Sequence, residues 1–162
     1  MDHRTLCTQA AKWLDSNKCK FAVAEPPIPG IELPDALGWK GSVSYLVEVK
    51  TSRSDFHSDK TKRCRIHDHL SIGDYRWYMT PKGILTPDDL PDYWGLLECY
   101  GKTMRIREVV KPKQVTDRGI EGLRSDIMAI SYMTNRLLRY KDFNTKTMRF
   151  NPIERKKVRR RK

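Results

Sequence analysis

Residues 43–49 read Val-Ser-Tyr-Leu-Val-Glu-Val and lead into Lys50, so a strand of apolar and β-branched residues is broken near its end by two opposite charges. An ion inside an apolar strand is costly unless it is paired or holds a metal. Whatever fold this chain adopts must therefore bring a partner to Glu48. Side chains alternate along a strand. Tyr45, Val47 and Val49 then share one face and can pack against helices, while Glu48 and Lys50 emerge together on the other.

Asp35 follows Pro34 on the preceding extended segment. It lies opposite Glu48 if the two segments pair as a hairpin, with a turn around Gly38 to Gly41. Two carboxylates at a strand end offer hard oxygen ligands suited to Mg²⁺ or Mn²⁺. A lysine beside them can hold an attacking water and offset charge developing on a phosphate. The trio is a kit for metal-assisted hydrolysis of a phosphodiester. The competing reading is a structural salt bridge between Glu48 and a neighbouring cation, with no metal.

The rest of the chain gives this strand a setting. Residues 3 to about 16 suit a helix, with Leu6, Ala10 and Trp13 on one stripe and Cys7, Ala11 and Leu14 beside it. A short strand follows and is stopped by Pro26 and Pro27; the segment around "IELPDALGW" is a second extended piece, and Gly41-Ser42 turns into the strand of Glu48. Ser52 or Ser54 can cap a polar helix whose first turn holds Asp55 and whose few apolar residues are Phe56, Cys64, Ile66 and Leu70. "YRWYMT" is a further strand and "PKGILTPDDLPDYW" a proline-punctuated loop. A hairpin turns at Gly101-Lys102, with Met104 and Ile106 inward and Arg105 and Arg107 outward. Near 117 to 140, Ile120, Leu123, Ile127, Ile130, Thr134 and Leu137 recur at helical spacing, which predicts a core-facing stripe. The order is helix, three strands, helix, strand, hairpin and helix, a mixed α/β arrangement with a mixed central sheet.

A chain of 162 residues suits a single domain, taken here as residues 1–150, followed by a basic tail over 151–162. The last eight residues carry seven basic groups, and removing those seven from the net charge of +12 leaves +5 on the rest. Body and tail are both basic, so a polyanion, nucleic acid before a membrane surface, is the expected partner. The four cysteines form no CxxC pair, the N-terminus lacks the apolar region of a signal peptide, and no stretch reaches the length of a membrane span. These features predict reduced thiols and a cytoplasmic protein.

Pro34-Asp35 followed by Glu48-Val49-Lys50 on a strand resembles the signature of the PD-(D/E)XK nuclease superfamily. The stretch "LVEVKTSRSDFHSDK" with "DYRWYMTPKGIL" is similar to small bacterial and phage nucleases linked to DNA repair. The likeness covers roughly residues 3 to 100. Acid-x-Lys occurs twice in the chain and Pro-Asp three times, so the conjunction of strand, spacing and following polar helix carries the likeness, not the bare pattern. It implies a restriction-endonuclease-like core with the C-terminal hairpin and helix added. It also implies Asp35 and Glu48 as ligands of Mg²⁺ (or Mn²⁺), the main-chain carbonyl of Val49 beside them, and Lys50 as catalytic lysine. Many relatives add a glutamate; Glu25 on the first strand is the candidate here, and a plain surface charge is its alternative role.

The implied activity is an Mg-dependent endodeoxyribonuclease, structure- or end-selective, acting in DNA repair, recombination or phage DNA processing in a bacterial or phage-infected cell. The alternative is a non-catalytic nucleic-acid-binding protein that retains the fold; an RNA-directed nuclease differs only in substrate. Ser52, Arg53, Lys60, Lys62, Arg63 and Arg65, with Arg105 and Arg107 on the hairpin, are the candidate nucleic-acid contacts. Each is otherwise an ordinary solvated or capping group. Trp77, Tyr78, Tyr93 and Trp94 could stack on bases, with core or rim as the plainer role, and core favoured for Trp77. Cys64, His67 and His69 invite zinc, but on a helix residue 69 turns away from the face of 64 and 67, and a fourth ligand is missing. A homodimer would let two sites cut two strands.

Overall fold

Asp2 opens the first helix, α1 (His3–Asn17), by accepting a hydrogen bond from the backbone N–H of Thr5 at 2.9 Å. Its buried face is Leu6, Cys7, Ala10, Ala11 and Leu14, as the spacing predicts, while Trp13, expected on the same stripe, is half-buried. A computed structural model describes the chain over residues 1–26, 28, 33–67, 71–139, 143–144 and 149–150. The expected tail at 151–162 lies outside the described residues, as do His69 and Leu70.

Strands β1 (Phe21–Ala24), β2 (Ala36–Lys40) and β3 (Val43–Val49) form an antiparallel meander. Gly41, at φ +63°, takes the left-handed conformation that the tight β2–β3 turn requires. Strand β4 (Tyr75–Pro81) runs parallel to β3, so the chain must cross over before returning. The crossover carries two short helices, α2 (Arg53–Lys60) and α3 (Arg63–Ile66), where the sequence suggested one. Ile66 is 63 % exposed and anchors nothing; Phe56 and Cys64 do.

β5 (Trp94–Tyr100) is parallel to β4, and β6 (Arg105–Val110) closes the expected hairpin. The longest helix, α4 (Gly119–Arg139), follows, and then a two-residue pair, β7 (Phe143–Asn144) and β8 (Arg149–Phe150). The large sheet has the order β1-β2-β3-β4-β5-β6, so neighbours in sequence are neighbours in space. It is mixed, as expected. One core cluster joins α1 to Val47, Val49, Trp77 and Met79; the other gathers Leu46, Phe56, Tyr78, Leu96, Ala129 and Met133. The alternation along β3 thus divides the molecule into two layers about the sheet.

Helix α4 departs from its predicted orientation. Ile120, Leu123, Ile127 and Ile130 are 43–69 % exposed, and Thr134 is exposed too. Among the described side chains of the helix, the buried positions are Gly122, Asp126, Ala129 and Met133, and Leu137 lies outside them. An ion pair sets this rotation. Arg118, 4 % exposed, meets Asp126 at 2.5 Å and Asp74 at 2.8 Å, and Asp126 also accepts from the Ser44 hydroxyl at 2.7 Å. A buried arginine requires its carboxylates. Meeting that requirement turns the small residues inward and the isoleucines outward.

Candidate functional site

The β2–β3 register pairs Ala36 with Val47, which sets Asp35 one step beyond the ladder and in line with Glu48. The expected juxtaposition of backbones is therefore present. Lys50 follows two residues on, at the C-terminal end of β3. Val47 and Val49 enter the α1 side of the core, so Glu48 and Lys50 lie on the opposite side, under α2 and α3.

Beyond the backbone, the three side chains part. Asp35 Oδ2 accepts from the N–H of Val49 at 2.8 Å, and its Oδ1 lies 3.3 Å from His3 Nε2 on α1. Glu48 Oε2 meets Lys50 Nζ at 3.3 Å and Arg65 Nη2 at 3.2 Å. Asp59, on α2, joins the same group: its Oδ1 lies 3.1 Å from Lys50 Nζ and 2.7 Å from Lys62 Nζ, and its Oδ2 accepts from Arg65 Nε at 2.8 Å. The Tyr78 hydroxyl donates to that Oδ2 at 2.9 Å.

The side chains of Glu48, Lys50, Asp59 and Arg65 are at most 4 % exposed. Aromatic rings close the group. The Arg65 guanidinium lies 4.9 Å from the centre of the Trp94 ring, which stacks on Tyr78 at 4.2 Å, and Phe56 meets Tyr78 edge-on at 4.9 Å. Burial works to raise the Asp59 carboxyl, but Arg65, Lys62 and Lys50 outweigh it and hold it well below the usual carboxylate range. Burial also pushes the Tyr78 hydroxyl far up, so it stays a donor.

These contacts decide whether Mg²⁺ fits. Among the described residues two carboxylates face three cations: Lys50, Lys62 and Arg65. Two fixed positive groups sit on Glu48 Oε2, and both Asp35 oxygens are engaged elsewhere. Glu25, the further ligand the resemblance implies, is exposed at φ +45° beyond β1, and its N–H donates to the Asp35 carbonyl at 2.8 Å. Asp35, Glu48 and Glu25 do not gather into a cation-holding group. In this arrangement the expected ligand set does not fit a divalent ion. The opening puzzle of the sequence has its answer in ion pairing: Arg65 and Lys50 balance Glu48.

The other candidate residues are placed as follows. Ser52 is the N-cap of α2, accepting from the Asp55 N–H at 3.1 Å. Arg53 grips Asp89 with both guanidinium nitrogens, and Lys60 donates to the Asp89 carbonyl at 2.9 Å. Arg107 pairs with Glu98 at 2.8 Å. Arg65, expected along a phosphate backbone, is instead buried in the core network, because Glu48 and Asp59 need its charge there. Arg63 and Arg105 are exposed. Trp77, Tyr78 and Trp94 are buried, and only Tyr93 of the four aromatics stands out, at 48 %.

Sequence reasoning missed Asp59, Arg65 as its partner, and His3. A signal for the first was present. Phe56 and Asp59 are one turn apart, so the buried face of α2 carries a carboxylate that must find cations.

No family model matches the chain, and no curated protein matches it. Among solved structures it is similar to SPO1766, a protein of unknown function from Silicibacter pomeroyi, at a TM-score of 0.60 and 19 % identity over 86 % of this chain and 89 % of that one. The likeness is one of fold.

Proposed function

We propose that this chain binds nucleic acid, DNA first, without cutting it, and that its acid-x-lysine strand is a structural element of the nuclease-like fold it resembles. The observation that carries this reading is the closed group of Glu48, Lys50, Asp59 and Arg65, in which the charges expected to hold a metal hold one another. The basic excess supports a polyanion as partner. Exposed Arg63 and Arg105, with the basic run at the C-terminus, supply its charge.

A second reading, a divalent-metal-dependent DNA endonuclease, is favoured by one observation: the register that sets Asp35 opposite Glu48. It requires Asp35 to turn from His3 toward Glu48. Fluorescence anisotropy with duplex, single-stranded and branched DNA, in EDTA and in Mg²⁺ or Mn²⁺, separates the two when followed by gel analysis of the same mixtures. Binding that survives EDTA with every substrate intact is the expected result. Cleavage that needs the metal, is lost in Asp35→Asn and is kept in His3→Ala establishes the second reading, and absence of binding to every substrate ends both.

A further inference from the structure

A second cluster of metal-ligating side chains lies across the sheet end from Glu48. His3 and Cys7 are one turn apart on α1, and Cys7 Sγ is 3.4 Å from His3 Nδ1. Glu25 comes to the same place from the end of β1. One donor atom from each of the three lies within 4.8 Å of the others. We propose that His3, Cys7 and Glu25 form a binding site for a thiophilic divalent metal of the Zn²⁺ type.

Chemistry selects that class of ion. A thiolate, an imidazole and a carboxylate suit Zn²⁺ and its neighbours, whereas Mg²⁺ takes oxygen ligands. Bond lengths of about 2.0–2.3 Å place the donors of a tetrahedral zinc site about 3.5 Å apart. The Cys7–His3 pair already has that separation, and a Glu25 carboxylate oxygen lies within 4.8 Å of both.

Asp35 supplies the independent support. A histidine that binds metal through one ring nitrogen commonly donates from the other to a carboxylate, which fixes the ring and its tautomer. His3 Nε2 lies 3.3 Å from Asp35 Oδ1, leaving Nδ1 turned to Cys7. Asp35 is itself held by the Val49 N–H, and its carbonyl takes the N–H of Glu25. Asp35 thus meets the His3 ring with its carboxylate and holds the Glu25 backbone with its carbonyl, and it acts here as a positioning residue. Burial gives the site a direction: Cys7 is fully buried, the His3 side chain is 44 % exposed, and Glu25 is exposed. A metal enters from the solvent side, and three protein ligands leave it a fourth position for water.

Cobalt(II) is the probe, because tetrahedral cobalt absorbs in the visible and a cobalt–thiolate bond adds a near-ultraviolet band. Titration of the full chain is expected to give both, at one site, with zinc displacing cobalt. His3→Ala alters a half-exposed side chain, leaves the core intact and is expected to abolish tight binding; Cys7→Ser should remove the thiolate band. Asp35→Asn is expected to weaken cobalt binding about 10–100-fold with the band retained, and Cys64→Ser to change nothing. Absence of the thiolate band in the unaltered protein, or its persistence in His3→Ala, overturns the proposal. The reading of Glu48 as structural stands or falls separately.

Discussion

Asp59 is the residue on which most of the buried charge converges, with Lys50, Lys62, Arg65 and the Tyr78 hydroxyl on its two oxygens. Its carboxyl is depressed in the folded protein, so it binds its proton less readily there than in the unfolded chain, whose value is about 3.9. The stability it contributes is present above that value and is lost as the pH falls through it toward the folded value. Asp59→Asn leaves Lys50 and Arg65 short of a counter-charge and should cost about 3–5 kcal/mol near neutral pH. Urea denaturation of both proteins at pH 7 and in a series below pH 5 tests this. The variant should start lower and lose less on acidification, and parallel acid slopes would refute the role given to Asp59. Glu48 and Lys50 were legible in the sequence as a charged pair on one face of a strand. Their partners were not, because Asp59 and Arg65 reach them only after the crossover folds back.

At the scale of elements, α4 separates pattern from packing. Its outward residues Ile120, Leu123, Ile127 and Ile130 fall at alternating three- and four-residue steps, the spacing that ordinarily marks a buried seam. The helix instead buries Asp126, Ala129 and Met133. Ile127→Glu should therefore change stability by no more than about 0.5 kcal/mol, while Met133→Ala should cost about 2–5 kcal/mol by opening the core beside Phe21 and Trp39. Chemical denaturation of the two variants decides between the faces; equal losses would return the isoleucines to the interior. The strands posed no such ambiguity. β3 declares both its faces through residue type, and the two-residue turn between β2 and β3 is short enough for that pairing to follow from the chain itself, whereas β1 and β2 are joined across eleven residues.

At the scale of the whole molecule the positive charge matters more than any single contact. Several expected phosphate-binding residues are engaged within the protein: Arg53 with Asp89, Lys62 with Asp59, Arg107 with Glu98. Under the DNA binding proposed above, affinity should accordingly lean on the C-terminal basic run. Ending the chain at residue 154 removes seven cations and should flatten the logarithmic dependence of affinity on salt by up to about 6 units. Binding isotherms across a salt series measure this, and an unchanged slope would place the contact elsewhere on the body.

The sequence by itself determined the broad succession of helix and strands and the sidedness of β3, since these follow from residue types and spacings close together in the chain; it merged α2 and α3 into one helix and did not announce β7 and β8. Only the tertiary structure decided that Arg65 and Asp59, not an ion, answer Glu48, that Asp35 turns to His3, and that Arg118 swings α4 about its axis. Charges separated by many residues choose their partners by proximity after folding, and no local pattern records that choice.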